Sequence, residues 1–223
     1  VRAPKVSQMK ELFERVVDVA RGAALMTGTT MKYEITMAFS DYVPNRTLGA
    51  LVDQCMRELG APEWTEPDYR LAAEFLRTYP RTTMVGIREK LGYYFEPEEL
   101  DAALEKPLDR IIHPFNPKET AYSSGSTDVG DVSWVCPTAQ VNTACYASGT
   151  PGHSWQLVAQ GKAPVAHAAM LQAGRVMAGT AIDLFESPEL LEKAKAEHAA
   201  RVGDGYVCPI PAGVKPRPMG AKK

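Results

Sequence analysis

No uninterrupted apolar stretch in this chain approaches the roughly 20 residues that a membrane-spanning helix requires. The opening Val1-Arg2-Ala3-Pro4-Lys5 also lacks the apolar core of a secretory signal. An excess of charge of one sign is missing as well: 25 basic against 27 acidic residues leave a net charge of −2. With the basic side chains scattered, neither a nucleic-acid groove nor an acidic membrane is indicated as a partner. Cysteine is scarce, and Cys55, Cys136, Cys145 and Cys208 stand too far apart for a zinc ribbon or a disulfide framework, which points to reduced thiols in a cytoplasmic protein. There is no P-loop, GxGxxG, GxSxG elbow or CxxC, which argues against nucleotide, nicotinamide, serine-hydrolase and thioredoxin chemistry.

What is present is an ordinary globular composition, 45% hydrophobic and 23% charged over 223 residues, enough for one large domain or two small ones. The chain opens without Met, and a missing upstream piece is one expectation. Ser7 caps an expected helix over residues 8–26, and Gly28 stops it. Residues 31–39 alternate, with Met31, Tyr33, Ile35, Met37 and Phe39 on one side, which predicts a half-buried antiparallel strand. A second amphipathic helix runs from near Thr47 to Leu59, and Thr65 with Asp68 predicts a capping box for a third. Short helices are expected within 82–105, and a connecting loop over 106–130. Two β-type runs follow, Val132–Cys136 and Gln140–Tyr146, ahead of a loop over 148–154. Pro164 opens a long small-residue helix through Ala166, Met170, Ala173, Met177 and Ala181, suited to lie against a sheet. Ser187-Pro188 opens another, to about Val202, and a Pro- and Gly-rich tail closes the chain as a packed strap or a mobile segment.

Among residues able to carry chemistry, His153 stands out, because Gly149-Thr150-Pro151-Gly152 places its imidazole on a loop that metal or substrate can reach. By itself it reads first as a surface or hydrogen-bonded loop histidine, since zinc needs three or four ligands and no HxH or HExxH is nearby. A site built from Cys136, Cys145 and His153 matches no common zinc spacing. Gly125, Ser126, Thr127 and Asp128 could present hydroxyls and N–H groups to a carboxylate, or simply form a turn or cap. Asn45 has a structural role available as the cap of the second helix. His167 is expected to be packed in its helix and His198 solvated in a charged one, while His113 precedes a proline without an evident partner.

Three stretches carry a family resemblance: Gly125 through Trp134 (GSTDVGDVSW), Gly149 through Gln156 (GTPGHSWQ), and the helix segment Ala166-His167-Ala168-Ala169-Met170. They resemble the p-aminobenzoyl-glutamate hydrolase group of the metal-dependent aminoacylase and carboxypeptidase superfamily, over about residues 1–218. The fold the resemblance implies is α/β. Residues 1–60 would be the second half of a ferredoxin-like lid that mediates dimerisation, and 61–223 the C-terminal half of an α/β zinc-peptidase catalytic domain.

By the same resemblance, the first half of the catalytic domain is absent, with its other metal ligands and its general-base glutamate. His153 corresponds to the last metal ligand. Gly125, Ser126 and Thr127 correspond to the substrate-contacting loop, and Asn45 to the lid asparagine. The implied reaction cleaves the amide bond of an aroyl- or acyl-amino acid such as a glutamate conjugate, using two divalent ions, Zn or Mn, that polarise the carbonyl and activate a water. The implied partners are an upstream half or companion subunit and a second copy through the lid. The competing expectation is a non-catalytic carboxylate-binding or assembly module that has lost the metal site.

Overall fold

Helix dominates the described residues of this chain, in keeping with the helical spacing at which many of its apolar residues recur. A computed structural model describes residues 1–80, 83, 87–89, 91, 92, 95–113, 115, 116 and 125–215. Helices whose bounds lie among the described residues are α1 (Val6–Met26), α2 (Arg46–Leu59), α3 (Glu66–Leu76), α4 (Pro97–Leu104), α5 (Val129–Val135), α6 (Trp155–Gln160), α7 (Pro164–Glu186) and α8 (Pro188–Val202).

The expected α/β fold, a ferredoxin-like lid half followed by an α/β catalytic half, is not what these residues build: no strand occurs among the described residues. Alternation over 31–39 specifies which way side chains point, but a strand also needs a neighbouring backbone to complete its ladder. That segment forms no ladder among the described residues, and Tyr33 and Met37 are exposed. Residues 140–146 likewise form no ladder among the described residues. The run Val132–Cys136 fails for a different reason. Short apolar runs do not distinguish strand from helix, and Gly130 and Ser133, three apart, form the buried side of α5. Of the short helices expected over 82–105, α4 lies among the described residues, whereas part of that stretch and residues 117–124 of the expected loop lie outside them.

The chain forms two compact units. The first comprises Val1–Arg46, Lys118–Thr138 and Glu192–Lys223. Here α5 docks on the extended segment 40–43 through small residues. Asp131 accepts from the Ser40 N–H at 3.2 Å and its hydroxyl at 2.6 Å, and the buried Ser133 hydroxyl accepts from the Val43 N–H at 2.8 Å. Tyr206 donates to Asp131 Oδ1 at 3.0 Å, and Trp134 Nε1 to the Asp41 carbonyl at 2.7 Å. Loss of solvation, helped by the neighbouring Cys208 and the Asp131 carboxylate, keeps the Tyr206 phenol protonated beyond its ordinary range. The tail runs beside the rest of the first unit over residues 208–212, Cys208 and Pro209 lining a groove with Phe13, Tyr33 and Met37, while residues 211–215 are exposed.

The second unit comprises Thr47–Pro117 and Ala139–Leu191. Its core joins Trp64, Ala72, Leu108, Ala147, Val165 and Ala169. Burying a residue such as Leu108 contributes on the order of 2 kcal/mol. Helix α3 starts as expected: the Asp68 carboxylate accepts from the Thr65 N–H at 2.8 Å and its hydroxyl at 2.6 Å. Helix α7 turns inward the row Val165, Ala169, Gln172, Val176 and Thr180, with Ala169 0% exposed. Met170 and Met177, expected on the packed side, are 64% and 59% exposed. Gly179 explains how α2 fits against this helix, since a Cβ there would stand 2.5 Å from Cys55 Sγ.

Candidate functional site

The second unit holds its most unusual backbone at the loop between the extended segment ending near Ala147 and α6. His153 has φ 56°, in the left-handed region and alone among the described non-glycine residues in having positive φ. Such a conformation costs an L-residue about 1–2 kcal/mol and persists where the surroundings over-determine it, often at functional positions. The ring is exposed and makes no hydrogen bond to any described residue.

Both sides of His153 are anchored. Ser154 caps α6 by accepting from the Leu157 N–H at 3.2 Å and donates to the Pro151 carbonyl at 2.7 Å. Behind the loop lies a polar cluster that the sequence did not reveal. The buried Gln160 carboxamide accepts from the Ala147 N–H at 2.8 Å and donates towards Thr150 Oγ1 at 3.1 Å, Tyr79 OH at 3.2 Å and the Gln156 carbonyl at 3.1 Å. Tyr79 OH and Thr150 Oγ1 are 2.6 Å apart. The available signal was the pair Gln156 and Gln160, four apart in an otherwise apolar helix, where a buried amide needs partners.

Substituting the strained position offers a direct check. His153→Gly relieves about 1–2 kcal/mol of left-handed strain, against the greater unfolded-state freedom of glycine, for an expected net gain of about 0.5–1 kcal/mol. His153→Ala keeps the strain and is the reference. A denaturation midpoint for the glycine variant below that of the alanine variant would show that the loop imposes no such cost.

The remaining candidate residues lie in the first unit. Gly125, Ser126 and Thr127 are exposed just ahead of α5. Ser126 Oγ accepts from the Arg2 guanidinium. Thr127 turns into the helix, its hydroxyl accepting from the Val129 N–H at 3.3 Å and its carbonyl from the Gly130 N–H at 3.1 Å. Asn45 is buried directly before α2, and its side-chain amide donates to the Ala194 carbonyl at 2.8 Å. Asn45 and Ser126 are thus held by different partners.

A metal ion needs several donors converging on one point. Among the described residues no group of three His, Cys, Asp or Glu side chains does so. His153 fits as one donor of a larger set, because its ring is exposed and uncommitted among the described residues. The other histidines reverse their expected environments. His167 is exposed on α7, whereas His198 is half-buried with Nε2 donating to the Ser133 carbonyl at 3.0 Å. His113 does have a partner, Asp109 Oδ2 at 2.9 Å.

The chain is similar to a subunit of the p-aminobenzoyl-glutamate hydrolase of Escherichia coli (strain K12), 37% identical across 98% of this chain and 46% of that protein. It is similar also to Xaa-Arg dipeptidase of Mus musculus, 26% identical across 90% of this chain and 35% of that protein. The chain therefore spans less than half the length of either relative. No protein-family model and no solved structure matches it.

Proposed function

We propose that this chain, a relative of a p-aminobenzoyl-glutamate hydrolase subunit along nearly its whole length, is part of a metal-dependent amidohydrolase that cleaves the amide bond of p-aminobenzoyl-glutamate or a related N-acyl or N-aroyl amino acid. The observation carrying this reading is His153, exposed and uncommitted among the described residues in a left-handed conformation, within the Gly149 to Gln156 segment, one of the two where the resemblance is specific. His153 serves as one metal ligand, with further ligands and the general base on polypeptide outside this chain. Two divalent ions, Zn or Mn, would supply carbonyl polarisation and water activation when bound. Gly125, Ser126 and Thr127 contribute to binding the substrate, whereas Asn45, buried and bonded to the Ala194 carbonyl, supports the fold.

A companion segment or polypeptide belongs to the same reading. Two observations support it: the bacterial relative is named as one subunit of its hydrolase, and the apolar side of α7 leaves Met170, Leu171, Met177, Ile182 and Phe185 exposed. Apolar side chains gathered on one helix favour a covering partner.

The test is to purify the complete protein, establish its polypeptide composition by intact mass, and measure metal content beside hydrolysis of p-aminobenzoyl-glutamate. About two ions per site with hydrolysis supports the proposal. Retained affinity for the conjugate without metal or hydrolysis, even beside the companion, selects a binding module instead. Within the same preparation, the double variant Ser126→Ala, Thr127→Ala is expected to raise KM for a glutamate conjugate about tenfold and lower kcat far less, since the loop positions a carboxylate. Unchanged kinetics would return Ser126 to its bond with Arg2 and Thr127 to starting α5.

A further inference from the structure

We infer that Gln160 is a positioning residue, fixing the frame of the loop 147–154 and with it the direction in which His153 presents its imidazole. What His153 does rests on the functional reading above; what holds it rests on geometry.

No described residue bonds to the His153 ring, so its orientation comes from the backbone. That backbone is left-handed, a conformation the loop abandons unless its flanks are pinned. One carboxamide, on a residue 4% exposed, supplies much of the pinning. Its oxygen receives the Ala147 N–H at 2.8 Å where the loop begins. Its nitrogen reaches Thr150 Oγ1 at 3.1 Å in the middle and the Gln156 carbonyl at 3.1 Å beyond the histidine. Thr150 Oγ1 in turn donates to the Ala147 carbonyl at 2.7 Å, and Tyr79 OH, 3.2 Å from the Gln160 nitrogen, braces the cluster from the segment after α3.

The task requires a carboxamide. A glutamate keeps the acceptor for Ala147 but loses the amide donors and buries a charge, whereas a leucine keeps the bulk and loses both. Among the described residues, Gln160 bonds to none of the expected substrate residues and to no metal-capable group, so it acts only through the loop. Outer residues that orient a ligand typically change metal affinity by about 10–100-fold.

The experiment uses the complete protein with Co2+ as the metal probe, and compares Gln160→Leu, Gln160→Glu and Tyr79→Phe with His153→Ala. Two readouts are followed: amide hydrogen exchange across 148–154, which needs no metal, and Co2+ affinity with its visible absorption. Gln160→Leu is expected to speed exchange at those amides about tenfold or more while α7 amides keep their rates, to weaken Co2+ about 10–100-fold and shift its absorption, and to lower kcat more than it raises KM. Gln160→Glu and Tyr79→Phe are expected to move the same readouts in the same direction by less, and they carry the test if the leucine variant does not fold.

Wild-type exchange and wild-type Co2+ absorption in all the folded variants would overturn the inference. If His153→Ala itself leaves Co2+ binding untouched, the functional reading fails, and exchange alone then judges whether Gln160 fixes the loop.

Discussion

His153→Ala in the complete protein is expected to lose about one metal ion per site and nearly all hydrolysis, about 10³-fold or more, while the chain remains folded. An amide is a poor electrophile with a poor leaving group, so ground lost by the metal ions appears directly in the barrier, at about 1.4 kcal/mol for each tenfold in rate. The expected stability change is small, within about 1 kcal/mol, for a structural reason. The ring is exposed and makes no hydrogen bond to a described residue, so its removal leaves no buried group without a partner and no cavity. Metal content by elemental analysis, the hydrolysis rate and a denaturation midpoint read the three parts separately. Full activity with unchanged metal content refutes the ligand assignment. A large loss of stability would make His153 a structural residue instead.

The split between stability and activity separates this residue from those that hold its loop. Gln160 and Tyr79 are bound into a buried cluster, and changing them disturbs packing as well as geometry. His153 can be changed without that disturbance. The glycine variant sharpens the contrast, since it is expected to be more stable than the alanine variant and equally inactive, a pattern in which local strain is retained for function rather than for folding.

What could be read from the residues depended on whether the information was local. The Thr65 and Asp68 box is local and was legible: two side chains three apart close on each other whatever the rest of the chain does. The loop carrying His153 was legible for the same reason, its glycines and proline excluding regular structure. The left-handed φ of His153 was not, because it follows from anchors at Ala147, Thr150 and Gln156 whose common partner lies at Gln160. The strand readings failed because pairing is a property of two segments. The alternation of residues 31–39 holds in the residue types, yet no second described segment completes a ladder with it. On α7 the small-residue character was legible but its inward row was not. Both Ala166 and Ala169 fit a close contact by size, and the rotation is fixed by non-local contacts, among them Ala169 in the core, the Cys55 thiol against Gly179 and the Gln172 bond to the Gly60 carbonyl at 2.6 Å.

The Gly125 to Trp134 motif makes a different prediction, because its glycine at 130 is demanded by packing. Gly130→Ala would place a methyl group onto the Ser40 carbonyl oxygen and 3.2 Å from its carbon. That carbonyl is backbone, and Ser40 is held twice by Asp131, at 3.2 Å from its N–H and 2.6 Å from its hydroxyl, so it has little freedom to retreat. Overpacking against a flexible side chain costs about 1–3 kcal/mol; against pinned backbone the upper end, about 3 kcal/mol, is expected, read as a lowered denaturation midpoint. Relief comes by lifting α5 from segment 40–43, which also strains the Val43 N–H bond to the Ser133 hydroxyl. Because the Gly130 N–H closes the turn on the Thr127 carbonyl at 3.1 Å, the displacement passes into Gly125, Ser126 and Thr127. In the complete protein the variant is therefore expected to raise KM for a glutamate conjugate with metal content unchanged, the opposite signature to His153→Ala. Wild-type stability in Gly130→Ala would mean that α5 and segment 40–43 are not held as tightly as these bonds require; lost metal would overturn the assignment of Gly125, Ser126 and Thr127 to substrate binding alone.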